Sequence, residues 1–238
     1  MEFYKGNKLI RELELDTSFI CPPNGVWNLL YADKLNHPVL NLRVFESNKL
    51  FYQYKDLFPT FQSIPVGELV IIGQNSFSVK WPNSKDFVSY SGNSLYQEYL
   101  KRELVLQTDY VGKPFNSRAS SFYHVWQSKQ RFVGGITDID LLRVDGQCNP
   151  IELFEVKRSR ISVDSWKPYF DDRGGYDILD NFCSLENLEF TIVYYYFLPN
   201  KSLEDLNSLL ILKKLNGFNF TKIGIYNLKD FKMKAYHS

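Results

Sequence analysis

The stretch GGITDIDLLRVDGQCNPIELFEVKRSR, residues 134–160, decides how this chain folds, because it has the pattern of two buried strands joined by a turn. Each apolar segment nevertheless carries charge in its middle. Asp138 and Asp140 interrupt the first segment, and Glu155 and Lys157 interrupt the second. Since burying an ion without a partner costs several kcal/mol, these four side chains must serve one another or a ligand.

The turn sets which residues of the two strands face each other. A symmetric turn over residues 145–150 places Asp140 directly opposite Glu155 and Asp138 directly opposite Lys157. Directly opposed residues share a face of the sheet, with their Cβ atoms about 4.5–5.5 Å apart. The sequence therefore predicts a compact group of carboxylates with one ammonium on a rigid sheet.

This group of charges has the composition of a metal-assisted hydrolytic site. Two carboxylates that lie close together repel each other unless a proton or a cation separates them. Mg²⁺ meets that need, since it commonly binds one or two carboxylates together with water and phosphate. Lys157 would weaken a plain metal site, but a hydrolytic site can use it to orient or help deprotonate the attacking water. We therefore expect Mg²⁺ as the cofactor, with Mn²⁺ able to substitute.

The same residues resemble the signature of a known family. An acidic residue on one strand of a hairpin, followed on the next strand by Glu-x-Lys, is typical of the PD-(D/E)XK nucleases, the restriction-endonuclease-like superfamily. Here these residues are Asp140 and Glu155-Val156-Lys157. The resemblance implies a core of helix, three strands, helix and strand. It also implies that Asp140 and Glu155 bind the metal ion and that Lys157 positions the attacking water.

The match leaves two assignments open. The proline that usually precedes the aspartate is absent, so Asp138 competes with Asp140 for one role. We favour Asp140, because the register sets it opposite Glu155, and expect Asp138 to serve as a second ligand or a structural acceptor. Family members often carry a further acidic residue on the first helix, which makes Glu98 the first candidate ligand there and Glu103 the second.

Segment patterns along the chain agree with that core. Between residues 91 and 199 the patterns predict a helix in NSLYQEYLKRELVLQ, a strand in SSFYHVWQ, hairpin strands at about 136–144 and 151–158, helical pieces in VDSWKPYFDDRGGYDILDNFCSL and a strand in LEFTIVYYYFLP. Before the core, VWNLLYA, VLNLRVF, KLFYQYK, ELVIIG and SFSVKW predict antiparallel strands. After it, KSLEDLNSLLILKKLNGF predicts a helix and KIGIYNL a strand.

These elements predict a mixed α/β (α+β) fold. Its restriction-endonuclease-like core is a mixed central sheet flanked by helices. Residues 1–85 are predicted to form a strand-rich portion for recognition or dimerisation, and residues 86–238 the nuclease-like domain.

Four basic residues follow the motif and are candidates for binding the nucleic-acid backbone. They are Arg158, Arg160, Lys167 and Arg173. A solvated face is the alternative interpretation of such residues. Trp166 could stack on a base, although core packing is the commoner role of a tryptophan.

Composition limits the partners of the chain. With 28 basic and 27 acidic residues the net charge is +1, which excludes a globally basic nucleic-acid binder and leaves only local patches. The longest apolar run, FTIVYYYFL, is too short to span a bilayer. Three cysteines without C-x-x-C spacing suit a reducing compartment. We therefore expect a cytoplasmic protein with no membrane partner.

The function predicted from these residues is a magnesium-dependent DNA endonuclease that hydrolyses phosphodiester bonds. Restriction or anti-phage defence is the first expected use, and a homodimer is the expected assembly. Two alternatives remain open. One is a catalytically inactive nuclease-like binding module in a larger nucleic-acid assembly, in which Asp138 and Lys157 form a salt bridge. The other is an RNase of the same fold.

Overall fold

A computed structural model describes residues 7–106, 122–198 and 203–234, and the chain divides into two compact units. The first unit comprises Met1–Asn7 and Pro22–Ile139, and the second comprises Lys8–Cys21 and Asp140–Ser238. The second unit is therefore discontinuous in sequence. This division differs from the predicted boundary between residues 85 and 86, which falls inside the first unit.

Helices and strands alternate in both units, which confirms the predicted mixed α/β class. In chain order the described elements are α1 (Lys8–Leu13), β1 (Phe19–Ile20), β2 (Val26–Ala32), β3 (Pro38–Phe45), α2 (Asn48–Tyr54), β4 (Val66–Gly73), β5 (Ser76–Lys80), β6 (Val88–Ser91), α3 (Gly92–Lys101), α4 (Phe122–Gln127), β7 (Ile136–Asp138), β8 (Leu141–Val144), β9 (Pro150–Ser159), α5 (Arg173–Glu186), β10 (Glu189–Leu198), β11 (Leu203–Glu204), β12 (Leu209–Lys214), β13 (Phe220–Tyr226) and α6 (Leu228–Lys232). None of these described helices has the length and apolar character needed to cross a membrane.

The first unit is built on a six-stranded sheet in the order β6-β5-β4-β3-β2-β7. Strands β3 and β4 run parallel, and the other neighbours run antiparallel. Leu95 and Tyr99 of α3, with Tyr123 and Trp126 of α4, join the strand residues in one buried cluster. Because these helices pack on the N-terminal sheet, the first unit extends well beyond residue 86.

Two segments of the first unit that were predicted to be strands are helices. KLFYQYK lies largely in α2, which begins after Ser47, whose side chain accepts a hydrogen bond from the Leu50 amide. The described part of SSFYHVWQ forms α4, with Tyr123, Trp126 and Gln127 buried. Aromatic residues are common both in strands and on buried helix faces, so the composition of these short segments does not distinguish a strand from a helix.

The second unit contains a sheet in the order β1-β8-β9-β10-β12-β13, with β11 paired to β10. Strands β9 and β10 are parallel, and α5 connects them; the other neighbours are antiparallel. One buried cluster joins α1 and α6 to the sheet through Leu9, Leu13, Phe154 and Phe231. Helix α5 packs on β9 and β10.

The predicted hairpin forms as β8 and β9, and its register is confirmed from Leu141 to Arg143, which lies opposite Glu152. An irregularity after Arg143 then places Val144 opposite Pro150 instead of Ile151. The first strand is shorter than predicted, however. The part predicted to begin it is β7, which pairs with β2 in the first unit, where Asp138 lies opposite Leu29. A segment predicted as one strand thus contributes to the sheets of both units.

The helix predicted for KSLEDLNSLLILKKLNGF is wrong, because this segment contains β11 and β12. Residues 209–212 are buried in succession, as in a strand covered on both faces. A short apolar run of this kind fits one face of a helix as well as a buried strand, so periodicity alone does not separate the two.

Candidate functional site

Alternation along β9 places Glu155 and Lys157 on one face of the sheet, with Val156 and Arg158 on the other. On the first face, Lys157 Nζ lies 2.8 Å from Glu155 Oε1. Glu155 is buried, whereas the Lys157 side chain is 25% exposed. The pair therefore lies at the border of the core, where solvent and a ligand have access to the ammonium.

Asp140 lies immediately before β8, at the position that continues the register opposite Glu155. Its carboxylate acts as an acceptor for the neighbouring strand, because Oδ2 accepts a hydrogen bond of 2.8 Å from the Val156 amide. Val156 stands between Glu155 and Lys157 in the chain. This hydrogen bond therefore holds the buried Asp140 carboxylate against the Glu-x-Lys strand, as the register predicts.

Asp172 and Tyr176 complete the surroundings of Lys157. Asp172 Oδ2 lies 3.0 Å from Lys157 Nζ. The Tyr176 hydroxyl donates to the same carboxylate over 3.5 Å, and the Tyr176 ring centroid lies 5.6 Å from the ammonium. Lys157 is thus held between two carboxylates, from Glu155 on its own strand and from Asp172 at the start of α5.

Sequence reasoning missed Asp172 and Tyr176 as members of this site. Helix α5 follows β9 and leads into the parallel strand β10, so its first turn lies near the carboxyl end of β9. Lys157 is two residues from that end. In the sequence, Asp171-Asp172 before Arg173-Gly174-Gly175 has the pattern of a loop, which indicates no link between Asp172 and Lys157.

Electrostatics keep Lys157 protonated. Burial alone lowers the pKa of its ammonium, but the negative charges around it, chiefly that of Glu155, outweigh burial and hold the pKa above the ordinary lysine value. Lys157 therefore acts as a fixed positive charge in this arrangement. This favours the role of orienting a water molecule or a phosphoryl oxygen over the role of removing a proton.

The charges of the cluster do not balance. Glu155 and Asp172 contact the ammonium of Lys157, and the third carboxylate, of Asp140, contacts the Val156 amide. Nowhere in the described residues do three or more histidine, cysteine, aspartate or glutamate side chains come together in a group that could hold a metal ion. Asp140 and Glu155 supply two oxygen donors, and such a set fits Mg²⁺, which keeps several waters, better than a closed zinc site.

The buried thiol of Cys21 is influenced by a further carboxylate of the same unit, that of Glu14. Burial raises the pKa of its thiol, and the charges of Glu14 and Asp140 raise it further, so the thiol stays protonated. Glu14 follows helix α1 directly and is exposed.

Two predicted metal ligands lie in the first unit instead. The Glu98 carboxylate on α3 is paired with Arg102 at 2.9 Å and with Lys101 at 3.6 Å. Asp138 ends β7, and its charge partly offsets the effect of burial on the pKa of His124. Neither residue is carried forward as a ligand, because each has a role in its own unit.

Arg158 was predicted to contact a nucleic-acid backbone, and the structure contradicts this. Its side chain is only 9% exposed on the face of β9 opposite Lys157, with Nη1 2.7 Å from Glu204 Oε1. The guanidinium also lies 4.5 Å from the centroid of the Phe197 ring. Period-two alternation explains the error, since neighbouring residues of a strand point to opposite faces.

The other three basic candidates remain available to a polyanion. Arg160, Lys167 and Arg173 are exposed. Arg173 Nε lies 3.5 Å from Asp177 with its side chain half exposed, so the pair is weak.

Comparisons with known proteins identify no relative of this chain. No family model matches the chain, and neither does any curated protein or solved structure. The resemblance to PD-(D/E)XK nucleases therefore depends on Asp140, on the Glu155-Val156-Lys157 motif and on the strand pairing that joins them.

Proposed function

We propose that this protein is a metal-dependent DNA endonuclease whose active site lies in the second unit. One observation carries the proposal: a buried glutamate and a lysine form a 2.8 Å pair on β9, and the Asp140 carboxylate is bonded to the amide between them. Burying carboxylates at the border of an apolar core is costly, whereas a site for metal-assisted phosphodiester hydrolysis uses them to hold a cation.

Asp140 and Glu155 would hold Mg²⁺, for which Mn²⁺ is expected to substitute. When bound, such an ion lowers the pKa of its water and polarises the phosphate. Lys157 contributes a second positive charge, which positions the attacking water and stabilises the charge that develops on a phosphoryl oxygen. Asp172 orients Lys157 from the side opposite Glu155.

The reaction is a hydrolysis. A water oxygen forms a bond to phosphorus, and the bond from phosphorus to the 3′ oxygen breaks. The resemblance implies products with a 5′-phosphate and a 3′-hydroxyl. Exposed Arg160, Lys167 and Arg173 would contact phosphates near the cut, which suits a chain of net charge +1 that has to rely on local patches.

Further features of the proposal follow from the composition of the chain and from the resemblance. They are a cytoplasmic enzyme, a homodimeric assembly and a use in restriction or anti-phage defence. The first unit would then serve in recognition of DNA or in dimerisation, since the resemblance covers none of its sheet.

A specific observation also favours a second candidate function. Lys157 is bridged by Glu155 and Asp172 at 2.8 and 3.0 Å, and an inactive binding module could keep that network for stability alone. An RNase of the same fold is the third candidate, separated from the first by the polymer that is cut.

The test is a cleavage assay on plasmid, single-stranded DNA, branched DNA and RNA with Mg²⁺, with Mn²⁺ and with EDTA. We expect metal-dependent cleavage of DNA, its loss in EDTA, and its loss in Asp140→Asn. Lys229→Ala, at an exposed lysine of α6, serves as the control and should cleave normally. Survival of every substrate would favour the binding module, and cleavage of RNA alone would favour the RNase.

A further inference from the structure

Two exposed aromatic rings lie beside the candidate active site. Tyr169 is 42% exposed and Phe170 is 67% exposed, both in the segment that connects β9 to α5. They precede Asp172, whose carboxylate contacts Lys157, by three residues and two residues. With consecutive Cα atoms 3.8 Å apart, the Cα atoms of both residues lie within about 11 Å of that of Asp172.

Each ring is supported from beneath by another aromatic ring. Tyr169 packs edge-on against Trp166 with centroids 6.0 Å apart. Trp166 in turn stacks on Tyr194 at 4.1 Å with an interplanar angle of 4°. Trp166 itself is buried, so the stacking surface that the sequence suggested for Trp166 is offered by Tyr169 instead.

Phe170 is connected to the charged cluster through aromatic contacts. It packs edge-on against Phe218 at 5.4 Å, and Phe218 stacks on Tyr176 at 6.3 Å. The Tyr176 ring contacts the Lys157 ammonium. The exposed ring is therefore continuous with the site and is held in a defined position, which lowers the entropy lost when a flat ligand stacks on it.

Basic side chains flank the two rings. Lys167 precedes Tyr169 by two residues, Arg173 follows Phe170 by three, and both are exposed. Aromatic faces combined with cations are the pattern by which proteins bind single-stranded nucleic acid, because each base offers a π-face and each phosphate a charge. In a duplex the base faces are covered by their neighbours, and affinity depends on many phosphate contacts, which a net charge of +1 does not supply.

We propose that Tyr169 and Phe170 form a stacking platform for unpaired bases next to the scissile phosphate, so that the substrate is single-stranded DNA. The inference rests on the proposed nuclease function for the identity of the neighbouring site. It adds to that function a preference for unpaired over duplex DNA.

The experiment measures the affinity of the full chain for a dye-labelled oligo-dT and for a duplex of the same length. Fluorescence anisotropy is recorded with Ca²⁺ and with EDTA, so that hydrolysis does not interfere. We expect tighter binding of the single strand by tenfold or more. From the stacking energy of a base on an aromatic ring, Phe170→Ala and Tyr169→Ala should each weaken single-strand binding by roughly 5- to 150-fold.

Two further variants separate stacking from apolar contact. Phe170→Leu retains apolar area without a ring and should lose affinity as the alanine variant does, whereas Phe170→Trp should bind at least as tightly as the original chain. Met233→Ala is the control, since Met233 is a large apolar side chain of the second unit that is 60% exposed just after α6, and its affinity should not change. Thermal unfolding of each variant checks that the fold is retained.

Several results would overturn the inference: equal affinity for duplex and single strand, full affinity in Phe170→Leu, tighter binding of single-stranded RNA than of DNA, or no binding of nucleic acid at all. Cleavage with Mg²⁺ is measured in parallel. Binding that depends on Phe170 without any cleavage would support the stacking platform and contradict the nuclease proposal. Cleavage that is unaffected by Tyr169→Ala and Phe170→Ala would support the nuclease proposal and contradict the stacking platform.

Discussion

The two faces of β9 both bury charge, and they do so in opposite ways. On one face Arg143 Nε lies 3.4 Å from Glu152 Oε2, with side chains only 4% and 0% exposed. Arg143 also donates to the Phe231 carbonyl at 2.8 Å, and Thr191 donates to Glu152 at 2.8 Å. This pair holds one charge of each sign, with hydrogen bonds to both, and is closed to solvent; Arg158 and Glu204 form a second ion pair on the same face.

The other face is unbalanced and open. Glu155, Asp140 and Asp172 outnumber Lys157, and the Lys157 and Asp172 side chains reach solvent. Period-two alternation along β9 therefore separates a structural ion pair at Glu152 from a cluster at Glu155, three residues further on, that can receive a cation and a phosphate. The comparison indicates that charge imbalance and exposure, rather than the presence of buried charge, mark the candidate site.

The largest expected effect comes from removing the ammonium on the open face. Lys157→Ala should lower the rate of DNA cleavage by about 10²–10⁴-fold, the range for a group that positions or protonates a reacting centre. Because this face is open to solvent, the variant should lose less stability than any variant that breaks the closed face. Single-turnover cleavage and urea unfolding measure the two effects, and full activity would contradict the role given to Lys157.

Breaking the closed face should affect stability instead. Arg143→Ala leaves Glu152 buried without its cation, which typically costs about 3–5 kcal/mol in the free energy of unfolding. Arg160→Ala is the matched control, because its exposed side chain should change stability by no more than about 0.5 kcal/mol. Urea unfolding followed by circular dichroism distinguishes them. If the two variants were equally stable, the closed face would not be the structural one.

The first unit contains a third kind of buried titratable group, the imidazole of His124, which can be compared with the two faces of β9. His124 packs against Trp27 with ring centroids 4.5 Å apart, and burial, partly offset by the charge of Asp138, lowers its pKa to about 4. Its ordinary pKa in an unfolded chain is about 6.5. Between these values the unfolded state binds the extra proton, so stability is full above pH 6.5 and falls as the pH drops toward 4.

His124→Gln should remove that dependence. The loss across this pH window is up to about 3 kcal/mol for a shift of this size. Unfolding free energies of both chains are compared at a series of pH values between 7 and 4. Parallel curves for the two chains would show that His124 does not titrate in this way.

The smallest expected effect is on the open face again. Asp172→Asn keeps the size of the side chain and removes one of the two charges that hold Lys157. We expect kcat to fall about tenfold, which corresponds to about 1.4 kcal/mol, with little change in KM, because Asp172 acts through Lys157. A loss as large as that of Lys157→Ala would mean that Asp172 has a direct part in the reaction, and no loss would mean that Glu155 alone orients Lys157.

The sequence predicted the parts of this structure that depend on local rules. The turn after β8 indicated the register of β8 and β9 from Leu141 to Arg143, and period-two alternation then placed Glu155 and Lys157 on one face. The α/β class followed from the alternation of element types. These inferences needed only neighbouring residues.

Features that depend on tertiary packing were not predictable in the same way. Asp172 reaches Lys157 only because a crossover helix connects two parallel strands. Asp138 lies two residues from Asp140 in the chain, yet its strand pairs with β2 in the first unit. The short apolar segments of α4 and β12 fit more than one element, and their burial partners decided between a helix and a strand.

The most direct test of the central claim is anomalous X-ray scattering from crystals of the protein soaked in Mn²⁺. We predict an anomalous peak within bonding distance of one carboxylate oxygen from Asp140 and one from Glu155, beside Lys157 Nζ. Crystals in which Mn²⁺ occupies other positions, or none, while these two carboxylates stay free of it would contradict the account.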